Sequence, residues 1–358
     1  MFQTTVRSGL SIAAVAATVL LASCATPEPE PVAAPPPPPP ALTLNEGVAE
    51  AASIYVAFIK EVGSIQAGFP DAESIQAALR RGSSYEPAQL SRGMIAYGSI
   101  LALQSPEFVA GVRTFAVDPA QRQRMVERII ANPAYAATLP GADAAAGLII
   151  EVIGKDSTAL MTIANAVEED AYTIQGRGDP RRRWAVIHVP NREDRLEGAK
   201  ALSAIEMLPS PEEAARLFAA ANTGSGLSLT AAQAGPPYTP AVTNALAIAA
   251  LAALGAGGDD ARANTEALVV ESNSEFCLNM SKLMLFQCLA ASRPRYEDIF
   301  CVGRHVMRDL ATCTAGNITP VPTLTPVPET AVAGNTPVQT PVAASAAAAS
   351  SQAVTAMK

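Results

Sequence analysis

The sequence predicts an all-α protein: an irregular multi-helix bundle with a disulfide-braced C-terminal helical hairpin, flanked by disordered Pro-rich segments. Three observations carry this prediction. A capping side chain followed directly by proline recurs at Ser105-Pro106, Asp118-Pro119, Asn132-Pro133, Ser210-Pro211 and Thr239-Pro240. Proline is well tolerated at the first helical position, where its missing N–H has no intrahelical partner, so each pair reads as a helix start. Between these starts, apolar residues recur at three-and-four spacing, and strand-type alternation is almost absent. Finally, Cys277, Cys288, Cys301 and Cys313 fall within one helical stretch near the C-terminal end.

In chain order, the first feature is an apolar run from Leu10 to Leu21 behind a single cation, Arg7. It is shorter than the about 20 residues needed to span a bilayer and has the dimensions of a processed export signal. The run ends in Leu21-Ala22-Ser23-Cys24, small residues leading to one cysteine, and this resembles the lipobox of bacterial lipoproteins. The resemblance covers only the first 24 residues. It implies a signal peptide at 1–23, cleavage before Cys24, and acylation of the Cys24 thiol (palmitate) and of the new amino group. Ala25 stands where such lipoproteins commonly carry Asp when retained in the inner membrane. The resemblance therefore implies a periplasmic location at the face of the outer membrane.

Residues 24–42 carry the proline run Pro35 to Pro40 and read as an extended spacer. At about 3.1 Å per residue it reaches roughly 50 Å from a membrane anchor. A first helical half is expected over 43–174. Thr43 and Glu46 have capping-box spacing ahead of Val48, Ala52, Tyr55, Phe58, Ile59 and Val62. A long helical segment is expected from Ala142 to Ile174. Residues 175–190 read as a linker, extended from Trp184 to Val189, and separate a second half at 191–315. In that half, Ala241 to Leu254 is a short apolar helix stopped by Gly255-Ala256-Gly257-Gly258, and Asp259 to Ala291 reads as one longer helical piece. The last segment, 316–358, repeats Thr-Pro-Val and is expected to be disordered, since its composition cannot offset the entropy of ordering.

With Cys24 assigned to lipid, four cysteines remain, an even set in an exported chain and so a disulfide framework. Cys277 and Cys288 are 11 residues apart, about 16 Å along a helix and too far to bond each other. Folding the segment about Ser292-Arg293-Pro294-Arg295 brings Cys288 to Cys301 and Cys277 to Cys313. The 12-residue interval from Cys301 to Cys313 is about 120° out of phase on an ideal helix. Cys313 is therefore expected beyond the last regular turn, with a helix stop at Thr314 to Asn317.

Chemistry is sparsely signalled. The chain has two histidines, His188 and His305, and no zinc, phosphate-loop or nucleophile-elbow spacing, so no catalytic residue, cofactor or metal is assigned. The run Glu168-Glu169-Asp170 reads as a solvated helix face. Arg181, Arg182, Arg183 and Trp184 are a basic, aromatic candidate contact for an anionic partner. A formal net charge of -8 excludes a general nucleic-acid binder. The expected role is non-enzymatic: a membrane-anchored periplasmic lipoprotein with a structural or binding role in the cell envelope, its partner an envelope protein or peptidoglycan. The alternatives are an apolar-ligand (lipid) carrier, a periplasmic hydrolase, and a peptidoglycan-attached lipoprotein. The last follows from the terminal Lys358, an arrangement resembling lipoproteins linked to peptidoglycan through a C-terminal lysine.

Overall fold

The computed structural model describes residues 38–177 and 180–320. The expectations for the signal peptide, Cys24, most of the proline spacer, the tail beyond residue 320 and Lys358 lie outside the described residues. Among the described residues there is no strand, and two isolated bridge pairs, Leu44 with Gly257 and His188 with Pro294, are the only β-type pairing.

The first half supplies α1 (Glu46–Gly63), α2 (Ala72–Ser83), α3 (Pro87–Ala102), α4 (Pro106–Arg113), α5 (Pro119–Ala131) and the long α6 (Ala142–Arg177). The second supplies α7 (Arg192–Ser203), α8 (Pro211–Thr223), α9 (Pro240–Ala253), the single turn α10 (Ala263–Glu266), α11 (Ser272–Ala291), α12 (Arg295–Val302) and α13 (Asp309–Ile318). A π-helical turn, Gly303–Arg308, joins α12 to α13.

Four of the five proline-marked starts are helix N-caps: Ser105, Asp118, Ser210 and Thr239 each accept a bond from a backbone N–H of the first turn. Such caps contribute about 1 kcal/mol each. Asn132 caps a 3-10 turn, Pro133–Thr138, instead. The start of α1 differs from expectation: the cap is Asn45, not Thr43. Asn45 accepts from Val48 N–H, and its amide donates to the Gly257 carbonyl and to Thr265 Oγ1, both at 2.9 Å. One buried side chain thus starts the helix and pins the chain after α9, which a Thr hydroxyl could not do.

Helices from before and after 175–190 share one core. α1 packs on α3 and α8, α3 on α9, and α6 on α12 and α13, and the described residues up to Thr319 belong to one compact unit. The presumed linker is itself structured. α6 runs on to Arg177, and Pro180–Val186 is a 3-10 turn rather than extended chain. Only Ile187 to Val189 is strand-like: Val189 N–H donates to the Arg293 carbonyl (2.7 Å) and Arg295 N–H to the Ile187 carbonyl (3.1 Å).

α9 occupies the centre. It is apolar on every side and buried from Ala245 to Leu254, the arrangement required of a helix with no polar stripe. Its alanines admit close neighbours: a Cβ placed on Gly98 of α3 would stand 3.1 Å from that of Ala245. It stops where Gly255 adopts a φ of 71°, which favours glycine. Among the described residues no helix is long and apolar enough to cross a membrane. The piece expected as one helix from Asp259 to Ala291 is broken. A 3-10 turn and α10 precede α11, which begins afresh where the Glu271 carboxylate accepts from Asn273 and Ser274 N–H.

Candidate partner-binding face

The C-terminal hairpin is α11 laid against α12 and α13. Cys277 is bonded to Cys313 and Cys288 to Cys301, with Cα separations of 5.7 and 5.8 Å. The pairs are nested about the turn at 292–294. The phase problem is solved differently from expectation. Cys313 does not lie past the helix: α13 continues through it to Ile318, so Gly316 to Ile318, expected to be tail, are helical. The π turn at Gly303–Arg308 absorbs one extra residue. Twelve residues then span the angle of about eleven, and a mismatch of about 120° falls to about 20°. The turn fits because residue 303 is glycine: a Cβ there would come within 2.8 Å of Glu168 Cγ and 3.0 Å of its backbone nitrogen.

The bonds hold α11 by one edge. Its inner face buries Leu278, Leu285 and Leu289. Its C-terminal carbonyls are taken by arginines of α7: Arg192 donates to Ser292 and Ala290, and Arg195 to Leu289. Arg195 also pairs with fully buried Asp298, whose carboxylate further accepts from Ser292 Oγ (2.7 Å) and Gln76 Nε2 (3.1 Å). A buried carboxylate with this many donors locks the turn geometry.

Lys282 also faces inward. Its ammonium donates to the Ser83 carbonyl and lies 3.8 Å from the centre of the Tyr85 ring. Burial pushes its pKa down to about 7, against a smaller upward pull from Glu86.

The outer face of α11 is open. Phe276 is 67% exposed and Leu283 51%, with Met280 and Met284 beside them. At 100° per residue these four lie within one sector of the helix, and Gln287 and Ala291 continue it. None of the exposed positions of this helix carries a charge. A rigidly held, uncharged apolar stripe of this length is what marks a contact site on a soluble surface.

Beyond Ala291 the stripe opens into a cleft of about 400 Å³ between α6, α11 and α12. It is lined by the rings of Tyr172, Tyr296 and Phe300, by Cys288 and Ala291, and by the polar side chains Gln175, Ser292 and Glu297. Tyr172 is 52% exposed and meets Phe300 edge-on, ring centres 5.8 Å apart. The cleft is large enough for one bulky apolar group. Sequence reasoning missed it, because Tyr172 and Phe300 come from helices far apart in the chain. The missed signal was α11 itself, apolar in the sequence on more sides than one fold can cover.

The basic segment lies on the 3-10 turn Pro180–Val186. Arg182 pairs with Asp170, which also accepts from Gly68 N–H. Trp184 is half-buried against the core, and Arg181 and Arg183 lie on the surface. The acidic run is not a solvated face. Glu168 is buried and accepts from Arg308 (2.6 Å), while Asp170 holds Arg182, so two of its three carboxylates are interhelical ties. His305 sits in the π turn with Nδ1 2.9 Å from Asp309, and His188 is exposed at the bridge to Pro294. Among the described residues no group of His, Cys, Asp and Glu is placed to hold a metal ion.

Fold and site thus define an all-α body presenting a disulfide-bolted apolar helix face. Comparison with known protein families, with curated proteins and with solved structures finds no match to this chain.

Proposed function

We propose that this chain is a non-enzymatic lipoprotein of the bacterial cell envelope, acylated at Cys24 and anchored at the periplasmic face of the outer membrane. Its structural or binding role is exercised through the outer face of the C-terminal hairpin. The observation that carries the reading is Leu21-Ala22-Ser23-Cys24 at the foot of a short apolar run. Supporting it, the four remaining cysteines are fully paired, as expected outside a reducing cytoplasm. An uncharged apolar stripe held by two covalent bonds suits the binding of a partner. Anchoring is energetically ample: at about 0.8 kcal/mol per buried CH₂, two or more acyl chains hold a protein durably to a bilayer.

The test is Cys24→Ser expressed in a bacterium. The wild-type chain incorporates radiolabelled palmitate, loses residues 1–23 and sediments with outer membranes. The variant takes up no label and accumulates as precursor. A variant still processed and still membrane-bound to the wild-type extent would defeat the proposal.

A further inference from the structure

We propose that α11 pairs with α11 of a second copy of this chain across a twofold axis, each copy seating its Phe276 in the other's ring-lined cleft. The inference names the partner for the binding face and so rests on the binding role inferred above, but its test does not depend on acylation at Cys24.

The stripe carries a knob at one end and a socket at the other. Phe276, its most exposed large side chain, lies at the N-terminal end. Ala291, which lines the cleft, lies at the C-terminal end. They are 15 residues apart, about 22 Å along the axis, on the same side of the helix. Laid antiparallel about a point between Leu283 and Met284, two copies bring Phe276 opposite Ala291, Met280 opposite Gln287, and Leu283 opposite Met284. Every contact then occurs twice, as an isologous interface requires. A parallel pair would set Phe276 against Phe276 and leave both clefts unfilled.

Charge and area point the same way. Copies of a chain with net charge -8 repel one another, the exposed positions of α11 bring no further charge into contact, and the carboxylate that lines the cleft, Glu297, accepts from Arg293 N–H (2.6 Å). A membrane-resting helix would flank its apolar face with lysine or arginine. The one basic residue of α11, Lys282, is buried on the inner side. The exposed parts of Phe276, Met280, Leu283, Met284 and Tyr172 offer on the order of 500 Å² per copy, about 1,000 Å² across the axis, the lower bound for a specific interface. The dimer is accordingly reversible, and confinement of both copies to one membrane, by raising their effective concentration, strengthens it.

The experiment places a photoreactive p-benzoylphenylalanine at position 276 of the full-length chain. Ordinary and ¹⁵N-labelled copies are purified from membranes in mild detergent, mixed and illuminated. The expected product is a mixed-isotope crosslink from residue 276 to the peptide carrying Tyr296 and Phe300, or to that carrying Tyr172. Leu283→Glu, at a half-exposed position that leaves folding intact by circular dichroism, lowers its yield at least tenfold. Mixing Leu283→Glu copies with Met284→Lys copies restores it, because those two positions face each other. Crosslinks confined to one copy, to lipid or to another protein, or a yield indifferent to Leu283→Glu, would overturn the proposal, whatever the result of the palmitate experiment.

Discussion

α9 is apolar almost all round and α11 carries apolar side chains on two opposite faces, yet the fold treats them oppositely. α9 is enclosed by α3, α4, α6 and α13 and shows almost nothing to solvent. α11 has one face buried and the other, with Phe276 and Leu283, turned out. The difference lies in residue size. Alanine lets neighbouring backbones close around α9 from every direction, as at Gly98 against Ala245. The Phe, Leu and Met side chains of α11 hold neighbours off, and this chain covers only the half of the helix that its disulfides and arginines secure. α9, without a polar stripe beyond its first turn, is buried by its own chain; the apolar face left open on α11 is the one proposed above to meet a second copy.

The same substitution in the two helices breaks the comparison most sharply. Ala249→Glu puts a carboxylate into fully buried packing and costs more than about 4 kcal/mol, enough to prevent folding. Leu283→Glu changes the stability of the isolated chain by about 0.5 kcal/mol or less. Chemical denaturation followed by circular dichroism separates the two; equal losses would show that the outer face of α11 is internally packed.

Next in size are the bonds that hold α11. The Cys277–Cys313 bridge closes a separation of 36 residues and Cys288–Cys301 one of 13. Their removal by paired Ser substitution is expected to cost about 4 and about 3 kcal/mol respectively. Stability measured on the two variants orders the bridges, and a larger loss from the inner one would mean that the turn, rather than loop closure, dominates.

The smallest effect concerns Lys282. Its folded pKa, about 7, lies below the unfolded value for lysine. The unfolded chain therefore holds this proton more tightly, and stability rises with pH through the window from about 7 to about 10. Lys282→Met removes that slope and stabilises the protein below pH 7 by about 1 to 3 kcal/mol. Urea titrations at pH 6 and pH 9 check both signs; a variant destabilised at pH 6 would make the bond to the Ser83 carbonyl worth more than the buried charge costs.

What could be read in advance follows the range of the interactions. Caps such as Ser210 and Thr239 act within three residues, so their pattern is visible in the chain, and so is the nested order of the cysteines, which follows from helix rise and one turn. Asn45 was misassigned to Thr43 because its advantage comes from Gly257 and Thr265, over 200 residues away. Separation along the chain likewise hid the ion pair of Glu168 with Arg308, 140 residues apart, and the meeting of Tyr172 with Phe300. The π turn was half visible. The misfit between Cys301 and Cys313 is plain from counting, but its remedy, an extra residue inside the helix, depends on how Gly303 packs against Glu168.

That turn leaves the hairpin one surplus residue. Removal of a single residue from 304–308 lets the segment revert to an ordinary α-helix, and the eleven-residue interval then left between Cys301 and Cys313 keeps the mismatch of about 20° that the π turn secures for twelve. A further insertion in an otherwise regular helix would instead swing Cys313 by about 100° and turn its thiol from its mate. The segment can lose a residue at this point more easily than it can gain another.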